Sequence, residues 1–373
     1  MPALAVAEAL RERGAEVSFI GVRGTSAAGM AAAAGYQEEA LRLRGLPRRP
    51  APAGLWPLAL ALAAVPRAVG ILARRRADVV IGAGGYVAGP VALAARLTRR
   101  PLLLMEADSH LGIANRLAAP MASRVTLAFP LPGRVGSRYL VTGRPVSRAV
   151  LNATRTAGRR QLGIPADATL VLVVGGSQGA RTLNRAAVEA FGDHPPVHVI
   201  HATGPRRLEE VRAMLAAHDP GERYRVEGYL DNLPDAIAAA DLVVSRAGGS
   251  VFELAAIGRP AILVPYPHAT ADHQAKNARW LAEAGAAVVL TDDECTGPHL
   301  RELVGALLSD RRRLEAMGEA SRAAGRPDAA ARVAEAALEI ARRRRRRRLR
   351  RRLRRWARRA GRLRSLGRRR ARG

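Results

Sequence analysis

The chain has 373 residues, of which 48% are hydrophobic and 3% aromatic. That length suits two domains, since domains usually contain roughly 100–200 residues, and the apolar content excludes a disordered chain. A single cysteine, Cys295, excludes a disulfide scaffold and a cysteine-based zinc site and fits a reducing cytosol. The low aromatic content also counts against a nucleic-acid surface built from stacked rings.

The net charge of +29 is concentrated at the C-terminus, where residues 342–373 contain 20 arginines and no acidic residue. Leu349, Leu353 and Trp356 recur there at helical spacing. Two interpretations stay open for this segment, a helix lying on an anionic membrane or a disordered polycation. We expect nucleic acid to bind this tail only nonspecifically, through counterion release.

Eleven short apolar runs alternate with helical patterns along the chain. The predicted strands are Glu16–Gly21, Asp78–Gly82, Pro101–Met105, Arg124–Ala128, Tyr139–Thr142, Thr169–Val174, Val197–His201, Arg223–Val226, Asp241–Ser245, Ala261–Val264 and Ala286–Leu290. Near-continuous apolar strands that alternate with helices predict parallel sheets covered on both faces.

The two series of strands predict an α/β protein with two Rossmann-like, doubly wound domains. Glycines and prolines interrupt the pattern between residues 143 and 165, which indicates the domain boundary. We therefore expect a first domain in residues 1–150, a second in 151–340 and a basic tail in 341–373. Because ligands bind at the carboxyl ends of parallel strands, two facing domains would form an interdomain cleft that holds the chemistry.

An apolar run from Leu55 to Leu72 is interrupted by Pro66 and Arg67. It is too short to span a bilayer, which needs about 20 apolar residues. Two interpretations stay open, a buried core helix or an apolar patch with a basic rim that lies on an anionic membrane. The rim would comprise Arg44, Arg48, Arg49 and Arg74–Arg76.

The segment "LVVGGSQGARTLN", Leu172–Asn184, predicts a strand, a glycine loop and a helix. Glycines let backbone N–H groups approach an anion, and a helix N-terminus adds a positive dipole end, so this loop is typical of a diphosphate site. Ser177 and Gln178 can donate hydrogen bonds, and Arg181 lies in the first helical turn. An ordinary strand–helix turn is the alternative, since neither a Walker A loop nor GxGxxG is present.

A second strand–glycine–helix segment runs from Ser245 to Pro267 and contains Gly248-Gly249-Ser250. Glu253, about one turn inside the helix, can bind a ribose diol or can simply complement the helix dipole. A third segment, "HATADHQAKNA", offers amide and imidazole groups that suit sugar hydroxyls, or an N-cap with a solvated face. Its candidate residues are Asp272, His273, Gln274 and Asn277.

In the first domain, Glu106, Asp108 and His110 follow a predicted strand. Each is a candidate general base for an acceptor hydroxyl, and each could instead cap the next helix. No metal-binding spacing is present, and we expect no metal and no cofactor. Asp292–Glu294 is expected to form a solvated loop.

Five segments of this chain match one family in order and spacing: "PALAVAEALRERG", "VIGAGGYVAGP", "GGSQGAR", "SRAGGSVFELAAIGRPAILVPYP" and "DHQAKNA". On these segments, residues 2 to about 332 resemble MurG-type glycosyltransferases. The resemblance implies the GT-B fold and inverting transfer of GlcNAc from UDP-GlcNAc to the muramoyl C4 hydroxyl of lipid I. The product would be lipid II, used for peptidoglycan. It also implies a peripheral enzyme on the cytoplasmic face of the cell membrane.

The resemblance further implies roles for single residues. Leu230 would read uracil, Glu253 would bind ribose, and His273 with Gln274 would hold the GlcNAc hydroxyls. Asp108 replaces an asparagine of the family near the transferred sugar, and Arg144 lies in a "GRPVS" segment where the family has GNPVR. The diphosphate would be held by Arg144 and by Gly176, Ser177, Gln178, Gly179, Gly249, Ser250, Val251 and Phe252.

The family has a first strand and a GGTGGH loop directly before "PALAVAEAL", and this chain has neither. We expect the true start to lie upstream of Met1, and we expect the chain as given to have an unstable first domain and little activity, since a sheet without its central strand exposes unpaired edges. Alternatives are another UDP-sugar GT-B protein, such as a glycolipid synthase or a UDP-GlcNAc 2-epimerase, or a UDP-sugar-binding protein without catalysis. A further alternative, a nucleic-acid-binding module, is supported by the arginine tail alone.

Overall fold

The computed structural model describes residues 2–24, 29–44, 55–176, 179–346 and 349. They form two compact units. The N-terminal unit comprises residues 6–107, 111–142 and the chain from Ala331, and the C-terminal unit comprises the first residues to Ala5, 108–110 and 143–330. The main division falls at Gly143, whereas residues 331–340, which we expected in the second domain, cluster with the N-terminal unit.

Each of the eleven predicted strands overlaps a strand of the structure, and β2 is an additional one. The strands are β1 Ser18–Val22, β2 Gln37–Leu41, β3 Val80–Gly82, β4 Leu102–Glu106, β5 Arg124–Leu127, β6 Tyr139–Val141, β7 Leu170–Val174, β8 His198–Ala202, β9 Tyr224–Glu227, β10 Leu242–Ser245, β11 Ala261–Leu263 and β12 Ala287–Val289. The sequence QEEAL does not predict β2, because two of its five residues are acids. These acids are tolerated in the strand because they bind polar partners. Glu38 accepts from the backbone N–H of Gly29, and Glu39 pairs with Arg74 at 2.7 Å.

Helices follow most of the strands. They are α1 Pro2–Glu12, α2 Met30–Ala33, α3 Leu55–Arg74, α4 Ala88–Leu97, α5 Ile113–Ala118, α6 Arg148–Asn152, α7 Arg155–Leu162, α8 Arg181–Phe191, α9 Leu208–Leu215, α10 Leu233–Ala239, α11 Ser250–Ile257, α12 His273–Glu283, α13 Gly297–Ser309 and α14 Arg311–Ala324. A further helix, α15, spans residues 329–346.

The N-terminal unit contains two parallel sheets, one of β1 and β2 and one in the order β3-β4-β5-β6. Side chains next to both sheets enter one core, for example Leu41 at the end of β2 and Leu104 in β4. Among the described residues, β1 and β3 each pair on one side only, so both have an edge without a strand partner.

The C-terminal unit has one parallel sheet of six strands in the order β12-β11-β10-β7-β8-β9. The chain moves outward from β7 in one direction through β8 and β9 and then returns to β10 on its other side. This reversal creates a topological switch point between β7 and β10, where Val171 pairs with Leu242. Doubly wound sheets bind ligands beside such a point, outside the carboxyl ends of the strands.

Helix α3 continues through Pro66, which interrupts the apolar run but not the helix. Ala64, Ala68, Ile71 and Leu72 are buried in the N-terminal core, so this half of the run is a core helix, while Leu62 is 58% exposed. Among the described residues, no helix combines the length and apolar character needed to cross a membrane.

The first arginines of the predicted tail belong to α15. The Arg344 guanidinium donates to the Ala77 carbonyl at 2.9 Å, and Nε of Arg345 donates to the Asp78 carboxylate at 2.8 Å. Both bonds lie within the N-terminal unit, so the expected tail begins later than residue 341. Residues 347, 348 and 350–373 lie outside the described residues, as do both interpretations of the tail.

Candidate functional site

Both glycine loops of the C-terminal unit begin at its switch point. The loop at residues 175–179 follows β7, and the loop at residues 246–249 follows β10. Each loop leads directly into a helix, α8 at Arg181 and α11 at Ser250. Two helix N-termini therefore meet at one edge of the sheet, which is an arrangement suited to an anionic ligand.

The first loop depends on glycine conformation. Gly176 and Gly179 have φ angles of 78° and 73°, in the left-handed region. A Cβ on Gly179 would lie 2.7 Å from the Thr203 carbonyl oxygen, so the loop packs closely on the segment after β8. Ser177 and Gln178, predicted to bind the diphosphate, lie outside the described residues. Arg181 is described and pairs with Glu210 at 3.2 Å.

The second loop is held from below by Asn277 of α12. Its side-chain amide donates to the Ala247 carbonyl at 3.0 Å, and Asn277 is 2% exposed. The structure thus gives Asn277 a role in supporting this loop, and its contact with substrate stays a prediction. Val251 is fully buried, and the Ser250 hydroxyl reaches back to the Arg246 carbonyl at 3.5 Å.

Arg144 joins the second loop to Asp108. Its guanidinium lies 3.6 Å from a carboxylate oxygen of Asp108 and 5.5 Å from the centre of the Phe252 ring. A Cβ on Gly249 would lie 2.9 Å from Arg144 Nη2, so this glycine allows the cation to approach the loop. Phe252 in turn stacks on Trp280, with ring centres 5.2 Å apart. The arrangement fixes a positive charge beside the loop.

Glu253 lies in the first turn of α11, as predicted. Burial raises the pKa of its carboxyl above the usual 4.5, and the positive charge of Arg144 acts in the opposite direction. A carboxylate that is held away from water beside a glycine loop can accept two hydroxyl hydrogen bonds from one sugar. The position is therefore compatible with the predicted ribose contact.

The segment before α12 has a strained backbone. Ala271 and Asp272 are consecutive non-glycine residues with φ angles of 53° and 56°, a conformation that usually costs about 1–3 kcal/mol per residue. Gln274 follows in α12 and accepts from the Tyr266 N–H at 2.9 Å through its side-chain carbonyl. Its amide N–H groups are then the donors it can offer to a ligand. His273 begins the same helix.

Leu230 lies in the loop between β9 and α10 and is partly buried. This loop follows the carboxyl end of β9, the outermost strand on the β8 side of the sheet. The place is compatible with the predicted backbone contact to a nucleobase.

In the N-terminal unit, Glu106 ends β4 and is 7% exposed. Its Oε2 accepts from the Gly112 N–H and from the Asn115 amide, each at 2.9 Å. The carboxylate therefore holds the turn that carries residues 107–112. Asp108 and His110, the other two candidate bases, lie in that turn, and the Asp108 side chain is 48% exposed.

A polar bridge missed in the sequence links the two glycine loops. Asp292 accepts from the Thr182 hydroxyl at 3.0 Å and pairs with Arg246 at 2.5 Å. Our expectation of a solvated loop was wrong for Asp292, whose side chain is 19% exposed. Arg246 also donates to the Val264 carbonyl at 3.1 Å. A lone arginine after β10 gives no signal in the sequence, because its partner is 46 residues away.

The doubly wound units, with two glycine loops at one switch point and the partly buried Glu253 in α11, define a GT-B glycosyltransferase. The glycosyltransferase family 28 N-terminal domain matches residues 1–127, and the family 28 C-terminal domain matches residues 170–333. The chain belongs to glycosyltransferase family 28.

Individual relatives agree with this assignment. The UDP-N-acetylglucosamine–N-acetylmuramyl-(pentapeptide) pyrophosphoryl-undecaprenol N-acetylglucosamine transferase of Halorhodospira halophila is 43% identical over 351 residues, covering 91% of this chain and 94% of its own. The crystal structure of Acinetobacter baumannii MurG has 28% identity and a TM-score of 0.71, over 91% of this chain and 95% of its own. A UDP-GlcNAc 2-epimerase from Neisseria meningitidis, 13% identical with a TM-score of 0.64 over 90% of this chain and 95% of its own, shares the fold alone.

Proposed function

We propose that this chain transfers N-acetylglucosamine from UDP-GlcNAc to the muramoyl C4 hydroxyl of lipid I, producing lipid II for peptidoglycan. The observation that carries the proposal is the 43% identity, over 91% of the chain, to a transferase named for this reaction. The two glycine loops at the switch point of the C-terminal unit, which can bind a nucleoside diphosphate, also support the proposal.

The donor binds to the C-terminal unit. The two helix N-termini and the N–H group of Gly176 take the diphosphate. The Gly179 N–H donates to the Gly176 carbonyl at 3.0 Å and closes the loop. The Glu253 carboxylate takes the ribose hydroxyls, Leu230 lies beside the uracil, and the amide of Gln274 binds the GlcNAc hydroxyls with His273 next to it. The positive charge of Arg144 beside Gly249 adds an attraction for the same diphosphate.

We assign the general base that removes the proton from the acceptor hydroxyl to Asp108. This role is particular to this chain, because the family has an asparagine at this position and an amide cannot take the proton. Glu106 is less suited to this role because its carboxylate already holds Gly112 and Asn115 and is 7% exposed. His110 is the second candidate, and its Nδ1 is buried with no hydrogen-bonding partner among the described residues. The Asp108 carboxylate is half-exposed, and Asp108 belongs to the same unit as the residues proposed to bind UDP-GlcNAc.

The reaction is a single displacement at the anomeric carbon. The acceptor oxygen forms the new bond as the bond to UDP breaks, and Asp108 takes the hydroxyl proton. Negative charge grows on the leaving diphosphate, where the helix N-termini, the loop N–H groups and Arg144 stabilise it. These groups are fixed before reaction by Asn277, Asp292 and the ring of Phe252.

A lipid acceptor places the enzyme on the cytoplasmic face of the membrane, as a peripheral protein on anionic lipid. The exposed apolar pair Ile113 and Leu117, 62% and 70% exposed and one turn apart on α5, supports this contact. Arg116 lies between them in sequence. Arg74 and Arg75 of the predicted rim are paired with Glu39, so they contribute less free charge than the sequence suggested.

The test is transfer of labelled GlcNAc from UDP-GlcNAc to a short-chain lipid I analogue, measured with this chain and with a version extended upstream of Met1. Labelled lipid II is the expected product of at least one of the two. UDP-GlcNAc binding without transfer to any lipid acceptor would favour the sugar-nucleotide-binding alternative, and formation of a 2-epimer without acceptor would favour the epimerase alternative.

A further inference from the structure

A group of buried polar side chains lies directly under the first glycine loop. Asn184, His201 and Thr203 are at most 1% exposed, and Tyr224 is 6% exposed. They come from three elements, α8, the β8 segment and β9, and all belong to the C-terminal unit. Buried polar groups cost free energy unless they are hydrogen-bonded, so their arrangement requires a reason.

The hydrogen bonds form one directed chain. The Thr203 carbonyl can only accept, so the Asn184 amide nitrogen donates to it, at 3.0 Å. The Asn184 oxygen then faces His201 Nε2 at 3.1 Å and accepts from its N–H. His201 Nδ1, left without a proton, accepts from the Tyr224 hydroxyl at 2.8 Å. Each of these three contacts therefore has one donor and one acceptor.

His201 does not act as a proton carrier here. Burial lowers the pKa of its imidazole to about 3, so the ring stays neutral at physiological pH. Around it, the groups of the packed elements are the Asn184 amide and the Tyr224 hydroxyl, and burial raises the pKa of that hydroxyl. A fixed neutral tautomer gives the ring a single orientation.

The chain reaches the glycine loop through Asn184 and Thr203. A Cβ on Gly175 would lie 3.0 Å from the Asn184 side-chain oxygen and 3.2 Å from the Thr203 carbonyl oxygen. A Cβ on Gly204 would lie 2.6 Å from the Gly179 nitrogen, so the residue after Thr203 packs on the far end of the loop. The loop backbone is thus seated on this network at both ends.

We propose that the Asn184–His201 pair positions the backbone of Gly175, Gly176 and Gly179 for the donor diphosphate, with Tyr224 orienting His201 from behind. An apolar core would fill the same space, but it would not select one loop conformation, whereas a satisfied polar network does. Neither Asn184 nor His201 touches the donor, so both are positioning residues. The inference rests on the proposed function, because it assumes that the loop binds a nucleoside diphosphate.

The first experiment compares the full chain with Asn184→Leu and with the triple variant Asn184→Leu, His201→Phe, Tyr224→Phe. Replacing hydrogen-bonded partners together by apolar groups of similar shape costs less stability than removing one partner alone. The triple variant removes the three side-chain partners, and both variants leave the Thr203 carbonyl without the Asn184 donor. We therefore expect the unfolding midpoint to fall in the single variant and to recover in part in the triple variant.

The readout that separates positioning from stability is UDP affinity, measured by calorimetry. We expect the Kd of UDP to rise at least about tenfold in both variants, and the KM of UDP-GlcNAc to rise while that of the lipid acceptor stays unchanged. Thr126→Val, which removes a buried hydroxyl that donates to the Leu104 carbonyl in the N-terminal unit, is the control and should not change the Kd of UDP.

A triple variant that is as stable as wild type and binds UDP with wild-type affinity would overturn the positioning role. If wild type itself does not bind UDP, the proposed function fails and this inference fails with it. If wild type binds UDP and the triple variant binds UDP with the same affinity, only the positioning role is overturned.

Discussion

The Arg144 guanidinium and the Asp108 carboxylate lie 3.6 Å apart beside the loop that begins α11. One cation therefore serves both the candidate base and the candidate diphosphate site, since it also packs against Gly249 and Phe252. An ion pair of this kind holds the Asp108 carboxylate in one place beside the loop.

Asp108→Asn tests the base directly. The amide has the same shape and can still bind a sugar hydroxyl, but it cannot take a proton. If Asp108 is the base, kcat falls by about 10²–10⁴, with little change in the KM of UDP-GlcNAc. Steady-state assays of GlcNAc transfer measure both. A variant with wild-type kcat would move the role to His110, and His110→Gln is the matched comparison.

Arg144→Ala removes the cation beside the diphosphate loop. A hydrogen bond or ion contact to a charged group contributes about 1.5–3 kcal/mol, so we expect the Kd of UDP to rise by roughly 10–100-fold. The effect on uridine should be small because uridine has no phosphate. Arg148→Ala, at an exposed arginine that begins α6 four residues later, is the control. Equal losses for UDP and uridine would contradict a diphosphate contact.

Glu253→Gln should change the pH dependence of stability. Burial raises the pKa of Glu253, so the folded protein keeps this proton to higher pH than the unfolded chain. Its contribution to stability is greatest below the unfolded pKa, about 4.3, and is lost as the pH rises through the folded pKa. Wild type should therefore lose stability relative to the variant as the pH is raised from about 4 to about 8.

Denaturant unfolding at several pH values measures this difference. The same variant should bind UDP about tenfold more weakly, as the loss of one charged hydrogen bond predicts. A stability difference that does not vary with pH would contradict an unfavourable buried charge, and an unchanged UDP affinity would contradict the ribose contact.

Asp241→Asn should destabilise the C-terminal unit without affecting donor recognition. The carboxylate pairs with Arg155 at 2.7 Å and with Arg159 at 2.8 Å. Burial and then the charge of Arg155 lower the pKa of Arg159, and Asp241 opposes both effects. Without the carboxylate, the Arg159 guanidinium, at 4% exposure, loses its ion-pair partner and keeps only the weaker effect of the Asp167 charge.

We expect a loss of about 3–5 kcal/mol in the free energy of unfolding, the range for a broken buried pair. Arg155→Ala should cost less because the Arg155 side chain is 37% exposed. Similar losses for Asp241→Asn and Arg155→Ala would show that the Asp241 carboxylate contributes little beyond the surface pair.

Ile113→Asn with Leu117→Asn tests the membrane contact. Each apolar side chain contributes about 1.5–3 kcal/mol when it leaves water, so sedimentation with anionic vesicles should fall at least tenfold. Val135→Asn, at a position that is 81% exposed in a loop, is the control. If both variants sediment like wild type, the membrane contact lies elsewhere on the protein.

The sequence alone determined the fold class, eleven strands and the glycine loops. Buried parallel strands need continuous apolar residues, and a close approach to an anion needs glycine, so both leave local patterns. The position of Glu253 one turn into α11 could be predicted for the same reason. The strand β2 could not, because an edge strand with acids carries no such pattern.

Tertiary structure alone decided which polar groups work together. Asp292 bridges Thr182 and Arg246, and Asn184 reaches His201 and Thr203, across sequence distances that no local spacing reveals. Asn277 was a sugar-binding candidate by residue type, and its place under the second loop follows from the packing of α12. Hydrogen bonds join whatever the fold brings within about 3 Å, so partners and burial, unlike helices and strands, are fixed only once the chain has folded.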